Sequence, residues 1–204
     1  MKKIDPVDLE YRHSFSLLSS IVMPRPILLV ATVNQEGGFN VAPYALLTGL
    51  CVKPFLVGFT VVRKRNGEKK DTQKNIESSG DFVLNVVTES LANRQNLASQ
   101  DYPYGVDEFK EAGMTPVQAD IVRSPLVAES PVNMECRLER ILDFGESRIS
   151  SFIIGEVIRV HIEDEVYSDN DIDPAKLKAL GRLSGAFYCR TTDIFEMEGP
   201  HREY

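Results

Sequence analysis

Ile27-Leu28-Leu29-Val30-Ala31-Thr32-Val33, then Asn34-Gln35-Glu36-Gly37-Gly38, then Phe39-Asn40-Val41-Ala42-Pro43-Tyr44: a branched apolar run, a turn and a second run. The first segment follows two prolines and has strand chemistry. The link is short and ends in Gly-Gly, so the two runs form a hairpin and the pairing is antiparallel. Pro43 stands where a central strand would need an N–H. The ladder is therefore expected to break or bulge there, leaving backbone donors and acceptors for another partner.

Outward from the hairpin, Phe55-Leu56-Val57-Gly58-Phe59-Thr60-Val61-Val62 reads as a buried strand. It runs into Arg63-Lys64-Arg65-Asn66-Gly67-Glu68-Lys69-Lys70, five basic residues in eight positions, and then into Asp71-Thr72-Gln73-Lys74-Asn75. Asp71 has N-cap chemistry and Gly80 that of a C-terminal stop, which predicts a helix between them. Cationic side chains just before the positive end of a helix dipole suit an anion, phosphate above all. On this segment alone a solvated charged loop is the equal alternative.

The remaining chain adds strands and little helix. A short helical piece is expected around Asp8 to Leu18, a strand at Phe82 to Val87, and a second helix from Glu89 to Ser99. Gln100 to Pro131 reads as a long surface excursion with one helical piece around Asp107 to Ala112. Val132, Met134, Cys136 and Leu138 alternate with Asn133, Glu135, Arg137 and Glu139, a half-buried strand. Arg148 to Ile162 predicts a long strand with a bulge at Gly155. Asp173-Pro174 opens a short helix to Leu180, and Phe187 to Met197 supplies a final strand. At least six strands with hairpin-length links predict a mainly β fold with short helices, an antiparallel closed or split barrel.

The 204 residues, 43% hydrophobic and 26% charged, suit one domain spanning 1–204. A net charge of -7 argues against general affinity for nucleic acid or an anionic membrane. Cys51, Cys136 and Cys189 are widely spaced and predict buried reduced thiols, neither a disulfide framework nor a zinc site. The start is polar and acidic, and no apolar run approaches the length of a membrane span, so a soluble cytoplasmic protein is expected. Nucleophile elbow, HExxH, Walker and GxGxxG patterns are absent from the sequence. His13, His161 and His201 stand apart, and Glu163-Asp164-Glu165 reads as solvated charge in a turn. No catalytic triad and no metal set is expected.

Arg25-Pro26, Asn40-Val41-Ala42-Pro43-Tyr44 and Lys70-Asp71-Thr72-Gln73-Lys74-Asn75-Ile76 together resemble the signature of the flavin reductase-like family, the FMN-binding split barrels. Phe82 to Val86, Glu129-Ser130-Pro131, Glu135-Cys136, Gly155-Glu156-Val157 and Arg182 to Tyr188 extend the resemblance over roughly residues 14–200. The resemblance implies an antiparallel split β-barrel of the FMN-binding type, working as a homodimer. It implies that Asn40, Val41, Ala42, Pro43, Tyr44, Ala45 and Leu46 line the isoalloxazine ring, with Thr32 nearby. Arg63, Lys70, Thr72 and Asn75 would hold the phosphate and ribityl chain, with Asp71 capping the helix. The family often carries serine or threonine after the tyrosine; Ala45 removes that hydroxyl, so its hydrogen bond falls to backbone, to Thr48, or is not made.

Structural alternatives stand beside these roles: Asn40 and Pro43 shaping a bulge, Tyr44 as plain core, Thr72 and Asn75 as a first helical turn. Arg182 and Tyr188 fit either cofactor contact or a dimer interface. The activity implied is FMN-dependent oxidoreduction with NADH or NADPH as donor, an NAD(P)H:flavin reductase. The alternative is a flavoredoxin-like FMN electron carrier, or a flavin-binding protein without nicotinamide turnover of its own.

Overall fold

The hairpin seeds a seven-stranded antiparallel sheet. The computed structural model describes residues 1–146 and 148–197; His201 lies outside them. The strands are β1 (Leu28–Val33), β2 (Phe39–Tyr44), β3 (Leu47–Val52), β4 (Phe55–Val62), β5 (Asp81–Val86), β6 (Val132–Phe144) and β7 (Ser150–Ile162). Their order across the sheet is β2-β1-β5-β6-β7-β4-β3. The two edge strands, β2 and β3, are thus consecutive in the chain and joined by Ala45 and Leu46. The sheet curls until these ends approach: the Tyr44 ring on β2 lies 5.2 Å from that of Phe59 on β4, and Thr60 N donates to Leu46 O at 2.9 Å. This is a split barrel, with the split at Ala45-Leu46.

Strand alternation sends side chains to two cores. Leu28, Val30, Phe59, Phe82, Leu84 and Ile153 fill the inside, where Phe59 and Phe82 meet edge to face at 5.5 Å. Burying each such side chain contributes about 1.5–3 kcal/mol. A Cβ on Gly155 would come within 2.3 Å of the Phe82 ring, and the β6–β7 register shifts between Ile154 and Gly155, so the expected bulge makes room for an aromatic core residue.

Leu29, Ala31, Val41 and Val83 point to the other side and are covered by Leu91, Phe109, Met114 and Val127. The segment from Gln100 to Pro131 is therefore more than a surface excursion, because its apolar side chains are the lid of this second core.

Pro43 corrects an expectation. β2 pairs with β1 residue for residue, Leu29 with Pro43 and Leu28 with Tyr44, without a register shift. An edge strand tolerates proline because the missing N–H belongs to the side with no neighbour.

The helices are α1 (Tyr11–Ile21), α2 (Asp71–Ser79), α3 (Ala92–Leu97), α4 (Glu108–Glu111) and α5 (Pro174–Leu177). α1 starts three residues later than expected, after a 3-10 turn over Pro6–Asp8 that Asp5 caps. α2 ends at Gly80 with φ 75, as its composition predicts. Its start differs: Lys70 is the N-cap residue and Asp71 the first helical one, and the cap makes no side-chain hydrogen bond.

Asp107 and Asp173 do cap α4 and α5. α5 stops at Leu177, and Leu180 opens a three-residue strand that pairs with Arg25–Pro26 and Tyr188–Arg190. That last element is all that forms of the expected strand from Phe187. Cys136 is buried but Cys51 is exposed and Cys189 half-exposed, because Cys51 lies on the outer edge strand.

Candidate functional site

Two hydrogen bonds dock α2 on the sheet. Thr32 and Asn40 are cross-strand partners on β1 and β2, while Thr72 and Asn75, three apart, share one face of the helix. Asn75 Nδ2 donates to Thr32 Oγ1 at 3.0 Å. With its amide oxygen toward Thr72, Asn40 accepts from Thr72 Oγ1 at 3.2 Å and donates to Glu108 Oε1 at 3.1 Å. All four docking residues are buried. The sheet thus fixes where the helix begins, and the backbone N–H groups of the first turn face outward without a side-chain cap.

The basic cluster divides. Arg63 pairs with Asp143 at 3.4 Å, Lys64 with Asp71 at 3.6 Å, and Lys69 with Glu77 at 2.7 Å. Asp71 also takes Lys74 at 3.4 Å. Lys70 belongs to none of the ion pairs among the described residues, and it borders two hollows that meet along Pro43 and Tyr44. The smaller, of about 90 Å³, lies between Asn40, Tyr44, Lys70, Thr72 and Glu108. The larger, of about 450 Å³, runs past Ala45, Leu46, Thr60 and Val62 to Arg25 and Arg182.

Of the thirteen residues singled out from the sequence, Asn40, Ala42, Pro43, Tyr44, Ala45, Leu46, Lys70, Asp71 and Thr72 border these hollows. Thr32 and Asn75 lie behind them as docking residues, and the Val41 side chain enters the second core. Arg63 faces Asp143. Thr48, the candidate substitute for the hydroxyl missing at Ala45, donates to Gly49 O at 3.1 Å.

Buried polar atoms without partners mark the small hollow. The Tyr44 hydroxyl, with Thr72 beside it, and Glu108 Oε2 are both shut off from solvent with no partner in good hydrogen-bond geometry among the described residues, a cost that a ligand can relieve. Burial pushes the Glu108 carboxyl up to about 7, with Asp71 and Asp107 adding to the shift. Burial likewise raises the Tyr44 hydroxyl far above its ordinary value. Sequence reading missed Glu108: the short helix was visible, but the packing that buries its first residue is tertiary.

Arg25 ties the walls together. It is buried, donates through Nη1 to Ser19 O and to Val22 O, the latter at 2.8 Å, and through Nη2 to Leu183 O at 2.7 Å. Burial, and then Arg182, lower its pKa. It thereby holds the end of α1 and the Arg182-Leu183 segment over the larger hollow.

The flavin reductase like domain family matches residues 19–198. The chain belongs to that family. It is similar to nitrilotriacetate monooxygenase component B from Bacillus cereus, at 32% identity and a TM-score of 0.93, over 97% of this chain and 98% of that one. It is also similar to the 2-nitrobenzoate 2-nitroreductase of Pseudomonas fluorescens, at 29% identity and a TM-score of 0.88, over 98% and 97% of the two chains. An uncharacterized protein of Halalkalibacterium halodurans is 33% identical over 201 residues, 97% of this chain and 96% of the relative. Flavin-linked oxidoreduction is therefore the chemistry of the fold in hand, and among the described residues no helix is long and apolar enough to cross a membrane.

A second polar cluster contrasts with the hollows. Asp120, Glu135 and His161 bring three potential metal ligands within 4.8 Å of one another. Glu135, however, already accepts from the backbone N–H groups of Asp120, Ile121 and Val122 at 3.0, 2.7 and 2.9 Å. His161 Nε2 lies 2.6 Å from Glu135 Oε1, the oxygen that also accepts from the Asp120 N–H.

Proposed function

We propose that the chain is an FMN-dependent NAD(P)H oxidoreductase, with the isoalloxazine ring along Pro43 to Leu46 and the phosphate at the start of α2. The observation that carries this reading is the N-terminus of α2, without a side-chain cap, beside Lys70, a cation outside every ion pair among the described residues, where the two hollows meet. Anions are favoured at such a terminus by the dipole and by N–H groups lacking intrahelical partners. The residues fit the cofactor chemically. Tyr44 and Glu108 offer unpartnered polar atoms, Thr72 offers a hydroxyl, and the unpaired side of β2 offers backbone groups where Ala45 lacks a side-chain donor.

When bound, the flavin supplies the hydride-accepting chemistry itself. The protein's share is to place it and to admit a donor: Pro43 to Leu46 orient the ring, Thr60 and Val62 supply a second wall, and the larger hollow leaves room for a nicotinamide. No proton-transfer residue is required for the hydride itself.

We extend the proposal to a homodimer of a cytoplasmic protein. Edge strand β3 and the strand after it expose Leu50, Val52 and Phe55 at 44%, 85% and 48%, an apolar edge that a second copy can cover. Three cysteines without a disulfide suit a reducing compartment.

The test is a visible-range titration of the purified protein with FMN, followed by anaerobic addition of NADH and NADPH. Saturable binding and bleaching of the flavin by either donor are expected. Binding without bleaching moves the protein to the electron-carrier reading, and absence of binding ends the proposal. Analytical ultracentrifugation checks the dimer.

A further inference from the structure

Beside the larger hollow, Arg12, Arg65 and Arg148 converge on an open groove of about 650 Å³ that Tyr11, Phe15 and Val62 floor. Arg148 lies over the Tyr11 ring, its guanidinium carbon 4.6 Å from the centroid, and its Nε is enclosed without a hydrogen-bond partner among the described residues. A guanidinium held over an aromatic ring is restrained in position and keeps N–H donors for a planar or phosphate acceptor. Among the described residues, Arg12, Arg65 and Arg148 take part in none of the ion pairs. Among the described residues that line the groove, Glu10 is the one acid set against these three positive charges.

Three neighbouring guanidinium groups repel one another, and on a chain of net charge -7 carboxylates to pair with them are plentiful. Their convergence without such partners is the signature of a site for a polyanion. The flavin phosphate does not need it, since Lys70 and the start of α2 lie across Pro43 and Tyr44. Arg12, Phe15 and Val62 border both the groove and the larger hollow, so one elongated ligand can occupy the two.

We propose that this groove binds the diphosphate of the dinucleotide hydride donor, with Arg65 and Arg148 on the phosphates and the nicotinamide end reaching over Val62 into the flavin cleft. This rests on the NAD(P)H reading above. Arg148 is held by Tyr11, and Arg65 comes from the basic cluster that also delivers Lys70; the cluster therefore serves two anions, one on each side of the β4 end.

The test titrates FMN-loaded protein with ADP-ribose, which carries the diphosphate but no nicotinamide, by calorimetry. Arg65→Ala and Arg148→Ala are each expected to weaken ADP-ribose by about tenfold, the KM for NADH or NADPH rising in step, while FMN affinity by fluorescence titration stays unchanged. Arg148→Lys keeps the charge, loses the planar fork, and is expected to fall between wild type and Arg148→Ala.

Unchanged ADP-ribose affinity in both alanine variants, and in the variant that combines them, overturns the proposal. So does a parallel loss of FMN affinity, which would place the flavin phosphate in the groove. Should the protein oxidise neither nicotinamide nucleotide, the activity reading fails separately. ADP-ribose binding then still decides the groove: arginine-dependent binding supports it and no binding overturns it.

Discussion

Two glutamates are buried among the described residues, and their surroundings are opposite. Glu135 on β6 receives three backbone N–H groups and His161; burial alone would raise its pKa, but the His161 contact and those N–H groups outweigh it and hold the carboxyl below its ordinary value. Glu108 at the start of α4 has one oxygen enclosed with no partner and is pushed up to about 7. A satisfied buried carboxylate is a structural clasp, here tying residues 120–122 to the sheet. An unsatisfied one facing a hollow is a place kept for something else. The same residue type thus separates scaffold from site by its hydrogen-bond inventory.

The sharpest way to break the contrast is Glu135→Ala. It removes one side of a buried cluster and strands three N–H groups, so a loss of about 3–5 kcal/mol is expected from urea unfolding. Because the folded pKa is depressed, the wild-type contribution is complete above the ordinary carboxylate range and is lost as pH falls through the lowered folded value. A loss below about 1 kcal/mol would make the clasp dispensable and the contrast empty.

Glu108 carries the opposite sign. Its folded pKa of about 7 lies above the ordinary 4.5, so the folded state binds the extra proton and stability falls as pH rises from the unfolded value through the folded one. Glu108→Gln should flatten that slope, which amounts to on the order of 2–3 kcal/mol across the window. Chemical denaturation of both proteins at about pH 5 and about pH 8 measures it. Equal slopes in the two would show that another group titrates.

Next in size is the phosphate end of the site. Lys70→Ala is expected to weaken FMN by roughly ten- to a hundredfold with no change in unfolding midpoint, since losing a charge-assisted hydrogen bond costs about 1.5–3 kcal/mol. Thr72→Ala should do both, weakening FMN and costing about 1 kcal/mol of stability, because its hydroxyl also docks α2 on Asn40. Fluorescence titration with denaturation on the same samples separates the two effects. Unchanged FMN affinity in both variants would move the phosphate away from α2.

Much of this was readable in the sequence, for physical reasons. Alternation in Val132 to Glu139, the Gly-Gly turn and the Gly80 stop are local signals, and local signals specify strands, turns and helix ends. The hairpin placed β1 and β2 correctly, yet not Pro43, since an edge and a bulge accommodate proline equally and only sheet order distinguishes them. β3 was invisible: Leu47 to Val52 is exposed along most of its length and lacks the buried-face pattern. The hollow was half legible. Asn40 to Tyr44 and Lys70 to Thr72 carry the family signature, but Glu108 reaches them through an excursion whose burial no short-range pattern announces.

Asp71 is the finest discriminator. Its composition reads as a helix cap, but it stands one residue inside the helix and pairs with Lys64 and Lys74 at 3.6 and 3.4 Å. Its stabilising contributions are the dipole at the first turn and two partly exposed pairs, together about 0.5–1 kcal/mol. Asp71→Asn should therefore cost at most about that much in a denaturation midpoint, less than a lost cap. It should also tighten FMN a few-fold, because it removes a negative charge beside the proposed phosphate and frees Lys64 to turn toward it. If FMN weakens instead, Asp71 is holding Lys64 and Lys74 in place for the anion, and it belongs with the site. If only stability moves, Asp71 belongs with Glu135 among the groups whose partners are all inside the protein.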